Sequence, residues 1–271
     1  MAAPRIVALG GHEFRRRPGD LAIVRHLLGM TGLERPRVCL LPTAGGDPRE
    51  AIASFYGVLD GFDCKASHVS LFRLEREKVD LRSHLLGQDL IYVAGGSMLN
   101  LVAIWRAHGL DAIMREAWHS GILLAGQSAG AMCWFEHGIT ASGGEPQVAA
   151  GLGLLPGSLC VHYARDQARR DSFLQAVGAE LGDGFALDDG AGLLFEGVRP
   201  VDAFVGTRGA RVLRVSGDGA AQARELELRA VPLRQELPAV ADPALAEFRA
   251  LRTRDRAGAS RSLTPVPRTP R

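Results

Sequence analysis

The 271-residue chain holds four cysteines, only two lysines beside 30 arginines, and aromatic residues at just 6%. Cys39, Cys64, Cys133 and Cys160 stand far apart, with no CxxC pair and no histidine at zinc-finger spacing. That spacing excludes a zinc-ribbon or disulfide scaffold and predicts buried, reduced thiols. No apolar stretch is long enough to cross a membrane. The opening MAAPRIVALGGHEF has no basic region ahead of its short apolar run, so it reads as a first strand and not a signal peptide; the expected location is the cytoplasm. G-x-G-x-x-G is missing from GGHEFRRRPG, and Walker spacing and lysine are missing from AGGSM, so no nucleotide cofactor is expected.

What is present is a globular composition. Hydrophobic residues make up 46%, charged residues 23%, and mean hydropathy is +0.04, enough apolar content for a continuous core and too much for a disorder-dominated chain. The net charge of +2 is unevenly spread, because residues 252–271 carry six arginines against Asp255. This tail lacks interleaved aromatics or a helical stripe, which argues against nucleic-acid binding. Its Arg, Pro, Ser and Thr content predicts one α/β domain over 1–252 and a basic, disordered tail over 253–271.

Apolar β-rich runs alternate with segments of helical period, which predicts an α/β fold: a mainly parallel sheet with helices on both faces. Strands are expected at 5–9, 37–41, 67–71, 89–94 and 122–125. Helices are expected at 19–30, 49–59, 98–107, 110–119, 129–135 and 165–177. Beyond residue 186, short strand-like segments at 192–196, 202–205, 210–215 and 225–229 predict a small antiparallel C-terminal extension. In such sheets ligands bind outside the carboxyl ends of the strands, so the loops GGHEF, PTAGGD, AGGSM and GQSAG should line one site.

The strongest local signal is GILLAGQSAGAMCWF: an apolar strand, then G-x-S-x-G, then a helix. Such an elbow holds a serine, here Ser128, on a sharp turn facing the crevice, and the helix behind it points free N–H groups at the same place. The plain alternative is a tight turn with a buried serine. Only His137 and His162 follow Ser128, and no histidine follows Asp166, so the Ser–acid–His order of an α/β-hydrolase fits poorly. The order Ser128, His162, then Asp188, Asp189 or Glu196 is open. His162 ends the apolar run LCVHYA, from where an imidazole reaches across the sheet edge as a base. Asp189 in ALDDG is the favoured orienting acid over its neighbour Asp188, the alternative being an ordinary Asx turn. Gly95 and Gly96 of AGGSM, with the Ala129 N–H, would form an oxyanion hole.

AGGSMLNL, AGQSAGAMCWFE, GLGLLPGSLCVHYARD and ALDDGAGLLFEG, in that order, resemble motifs of the peptidase family of dipeptidase E and cyanophycinase, and the resemblance extends over about residues 4–230. It implies a fold similar to class I glutamine amidotransferases, with serine in place of the amidotransferase cysteine. By motif, Ser128 corresponds to the nucleophile, His162 to the base and Asp189 to an acid that is often glutamate in relatives. The family's glycine loop commonly reads GGN followed by threonine, whereas this chain has Ser97 and Met98.

The resemblance implies amide hydrolysis through an acyl-enzyme, without metal or cofactor, on a small peptide with an N-terminal aspartate. Arg165, Arg169 and Arg170 follow the histidine; Arg169 is the expected binder of a substrate carboxylate, against a plain solvated helix face. The small peptide is the expected partner, a homodimer is allowed, and a membrane is not expected. A catalytically silent, amidotransferase-like binding module is the competing reading.

Overall fold

Strand β1 (Arg5–Leu9) sends Ile6 and Ala8 to one face and Val7 and Leu9 to the other, and all four are fully buried. A strand covered on both sides needs apolar residues without alternation, which is why this segment and its neighbours read as continuous hydrophobic runs. The structure, a computed structural model, describes residues 3–11, 14, 17–74, 79–218 and 222–235. The tail expected at 253–271 lies outside them. Among the described residues no helix is long and apolar enough to cross a membrane.

Strands β2 (Arg37–Leu41), β3 (Lys65–His68), β4 (Leu90–Val93) and β5 (Leu123–Gln127) join β1 in a parallel array ordered β1-β5-β4-β2-β3. One face is covered by helices α1 (Pro18–Met30) and α2 (Arg49–Leu59), whose Leu27 and Phe55 pack with Val7, Leu40 and Tyr92. The other face packs against α3 (Leu81–Leu86), α4 (Met98–Ala107) and α5 (Leu110–His119), where Trp105 and Met114 meet Ala8, Ile91 and Leu124. Ser97 caps α4 by accepting the Asn100 N–H, a job that accounts for its hydroxyl.

After a one-turn helix α6 (Ala129–Met132), the chain builds a second sheet from β6 (Phe135–Thr140), β7 (Gln147–Ala150), β8 (Leu155–Val161) and, beyond α7 (Gln167–Ala176), β9 (Gly184–Leu187). It then crosses to the first sheet. There β10 (Ala191–Glu196) pairs antiparallel with β1, and β11 (Arg199–Val205) antiparallel with β10. The chain returns to the second sheet in β12 (Val212–Gly217) and β13 (Ala223–Glu227), and the last described strand, β14 (Val231–Pro232), pairs with β11. The two sheets, of eight and six strands, bury one shared core in which Leu124 and Val93 join Val161, Leu187 and Val212.

The α/β class therefore holds, but its arrangement differs from the expectation of one mainly parallel sheet with a small antiparallel extension. Both sheets are mixed, and the C-terminal strands are divided between them. The helix expected at 129–135 stops at Met132, and Phe135 begins a strand paired with β8. AGAMCWF is apolar throughout, so it carries no period to separate helix from strand, and the aromatic pair Trp134 and Phe135 packs as strand residues do. The strand expected at 67–71 lies two residues earlier.

All four cysteines are free. Cys39, Cys133 and Cys160 are buried, and burial pushes the Cys39 thiol up to about 12. Cys64 departs from the expectation in being half-buried.

Candidate active site

The elbow between β5 and α6 is built by close contact. A Cβ on Gly126 would stand 2.0 Å from the Gly130 carbonyl oxygen, and one on Gly130 would stand 2.3 Å from that of Val93, so only glycine lets the helix start fold back onto the sheet. Between them Ser128 is held at φ 51° and ψ −118°, with its N–H donating to the Leu9 carbonyl. Among the described residues three non-glycines have positive φ, and two of these are Ser128 and His162. Strain of this kind, which side chains rarely tolerate, persists where the surroundings over-determine it.

Three elements bring the polar side chains together. Ser128 comes from the end of β5, His162 from the residue after β8, and Asp189 from the turn between β9 and β10, where the chain crosses from the second sheet to the first. Ser128 Oγ lies 2.9 Å from His162 Nε2, and His162 Nδ1 bonds to Asp189 Oδ1. An ionised carboxylate only accepts, so Nδ1 carries the proton and Nε2 is left to accept from the serine hydroxyl. The hydrogen bond from His162, its charge and those of Arg165 and Arg169 together hold the Asp189 carboxyl below the usual carboxylate range.

The adjacent acid points elsewhere. Asp188 is buried, and its carboxylate accepts the N–H groups of Ala164 and Arg211 at 2.8 and 3.0 Å and Arg211 Nε at 3.0 Å. It ties the loop that carries His162 to the start of β12. Glu196 ends β10, at the opposite end of that strand from Asp189. His137, the other histidine after Ser128, lies within β6.

Ser128, His162 and Asp189 open into a cavity of about 670 Å³ lined also by Gly11, Arg17, Asp20, Gly95, Gln127, Arg165, Gly190 and Thr207. Gly95 lies directly against Ser128, and Ala129 is the first residue of α6, whose N–H has no acceptor within the helix. Gly96 backs onto the carbonyl of Ala44 and is not part of the lining. Arg169 is also outside the lining: it packs beside Asp166, the cap of α7, with Nε 3.3 Å from Oδ2. Arg170 reaches away to Glu225. Arg165 is the arginine of that group in the cavity, its NH1 3.1 Å from Asp189 Oδ2. Arg17, Asp20 and Thr207 carried no motif that would single them out. Among the described residues no cluster of three or more His, Cys, Asp or Glu side chains stands where it could hold a metal ion.

Comparison with known proteins agrees with this architecture. The chain is 41% identical over 212 residues to an uncharacterized peptidase, YgaJ, of Bacillus subtilis (strain 168), covering 78% of this chain and 91% of that one. Its fold is similar to a crystal structure of a peptidase from an acI-B1 Actinobacterium, with a TM-score of 0.59 at 18% identity, over 84% of this chain and 95% of the other. It is also similar to a putative peptidase E protein from Listeria monocytogenes EGD-e, with a TM-score of 0.57 at 15% identity, over 75% and 99% of the two chains. The model of peptidase family S51 matches residues 6–200, and the chain belongs to that family of peptidases.

Proposed function

We propose that the protein is a serine peptidase in which Ser128, His162 and Asp189 form the catalytic triad. The observation that carries this reading is the continuous relay from Ser128 Oγ to His162 Nε2, and from His162 Nδ1 to Asp189. His162 takes the hydroxyl proton as Ser128 Oγ attacks the amide carbonyl, and the tetrahedral oxyanion is met by the N–H groups of Ala129 and Gly95. The imidazolium gives its proton to the leaving amine, the C–N bond breaks and an acyl-enzyme remains. Water, deprotonated by His162, then hydrolyses the ester and restores the serine. The fold reading that goes with this mechanism is kinship with class I glutamine amidotransferases, a serine standing where those enzymes carry cysteine.

The cavity supports a small, polar peptide substrate. Among the described residues its lining offers arginines, an aspartate, a glutamine and a threonine and no large apolar side chain, and its volume suits a ligand of a few residues. Arg165 and Arg17, in place of the expected Arg169, are the cations that would meet the side chain of an N-terminal aspartate. The test is hydrolysis of dipeptides beginning with Asp, Glu, Asn or a neutral residue by the wild type and by Ser128→Ala. Turnover that vanishes in the variant and favours acidic first residues is expected. Well-folded wild-type protein that turns over nothing would instead favour a silent binding module.

A further inference from the structure

Asp189 is an unusually open residue for its post. Its side chain is 38% exposed, whereas His162 beside it is 17% exposed. It sits on the three-residue crossing between the sheets, followed by Gly190 at φ 80°. An exposed carboxylate held through one oxygen can rotate about its Cβ–Cγ bond and exchange that oxygen for solvent, and each rotation releases the imidazole from its tautomer and orientation. Among the described residues the polar side chains that reach this carboxylate are His162 on Oδ1 and Arg165 on Oδ2.

We propose that Arg165 is a positioning residue for the triad: by holding Asp189 Oδ2 while Oδ1 holds His162, its guanidinium locks the carboxylate against rotation. Arg165 lies in the turn between His162 and α7, and its own backbone N–H bonds to the His162 carbonyl at 3.0 Å, so base and clamp are borne by one short loop. Between the two, the Ala164 N–H donates to Asp188 at 2.8 Å and pins the loop. NH2 of Arg165 stands 3.4 Å from His162 Nδ1. Since Nδ1 is already donating to Asp189, this contact is an approach of two donors, and the carboxylate between them is what holds the guanidinium there.

The Arg165 side chain is 71% exposed, and a pair so open to solvent adds little to stability. Its contribution is therefore geometric, and it separates from stability in experiment. The inference rests on the serine-peptidase reading, so its test avoids any assumed substrate: the rate at which a fluorophosphonate labels Ser128 reports triad activation directly. Arg165→Gln is expected to slow labelling about tenfold with an unchanged melting temperature. Arg165→Lys, which keeps the charge but not the planar fork, recovers only part of the rate.

The pH profile gives a second readout that a merely structural role would not move. Among the described residues the charged groups facing Asp189 are His162, Arg165 and Arg169 from the second sheet's side, with Arg17, which precedes α1, and Asp20 of α1 across the cavity. Arg165→Gln removes a positive charge 3.4 Å from His162 Nδ1 that opposes protonation of the base, so the acid limb of labelling moves to higher pH. Labelling of Arg165→Gln at the wild-type rate with an unmoved acid limb would overturn the proposal while leaving the triad intact. A wild-type Ser128 that the probe does not label would overturn the peptidase reading and the proposal with it.

Discussion

Gly11 and Asp189 touch: a β-bridge joins their backbones, and a Cβ on Gly11 would stand 2.3 Å from Asp189 Oδ1 and 3.0 Å from His162 Cε1. Gly11 is thus the floor on which the acid and the imidazole rest.

Gly11→Ala is expected to displace Asp189 and His162, lowering kcat by about 100-fold. Overpacking of this kind costs about 1–3 kcal/mol, so the fold survives. Fluorophosphonate labelling and a thermal melt on the same sample check both halves; a variant with full activity would show that the floor yields freely.

The backbone of Ser128 separates two ways of removing the proposed nucleophile. Ser128→Ala and Ser128→Gly should both lose at least about four orders of magnitude in kcat. Only the glycine variant relieves the positive φ, so it should be about 1 kcal/mol more stable than the alanine variant. Denaturant midpoints of the two decide the point.

The neighbouring aspartates should behave oppositely. Asp188→Ala strands the N–H groups of Ala164 and Arg211 and the Arg211 guanidinium, and is expected to cost about 3–5 kcal/mol. Asp189→Ala should cost less than about 1 kcal/mol yet abolish labelling of Ser128. Comparison of melting temperatures and labelling rates tests the pair.

Acid stability follows from the lowered Asp189 carboxyl. Its contribution is present above the unfolded carboxyl value of about 3.9 and is lost as pH falls through the lower folded value. The stability gap between the wild type and Asp189→Asn should therefore be widest above about pH 5 and narrow steadily as pH falls below the unfolded carboxyl value. Denaturant titrations across that range measure it, and a gap independent of pH would contradict the assignment.

The centre of the first sheet was legible in the sequence because β1, β2, β4 and β5 are almost wholly buried and stand out as apolar runs. Residues 5–9 and 37–41 coincide with β1 and β2 to the residue. The second sheet was legible only in part: the segments expected at 210–215 and 225–229 overlap β12 and β13, whereas FEHGIT and LPGSLCV show neither clean alternation nor a continuous run. At the site, motif order pointed to Ser128 and His162, but Asp188 and Asp189 are adjacent residues whose side chains leave opposite faces of an extended chain. Only the pairing of β9 with β12 and of Gly11 with Asp189 settles which faces the histidine. Choosing among Arg165, Arg169 and Arg170 likewise depends on where α7 begins. Asp166 caps it, which turns Arg169 back onto the cap and leaves Arg165 in the cavity.

The crossing of the chain between its sheets has a consequence for how function can be lost. The serine belongs to one sheet, the histidine to the other, and the acid to the strand of chain that stitches them. On the triad proposed above, neither half contains a working fragment of the chemistry, so reactivity of Ser128 is a gauge of how well the two layers are seated on each other. A slight slippage in the shared interior, too small to melt any strand or change a far-ultraviolet spectrum, would silence the protein while it still looked folded.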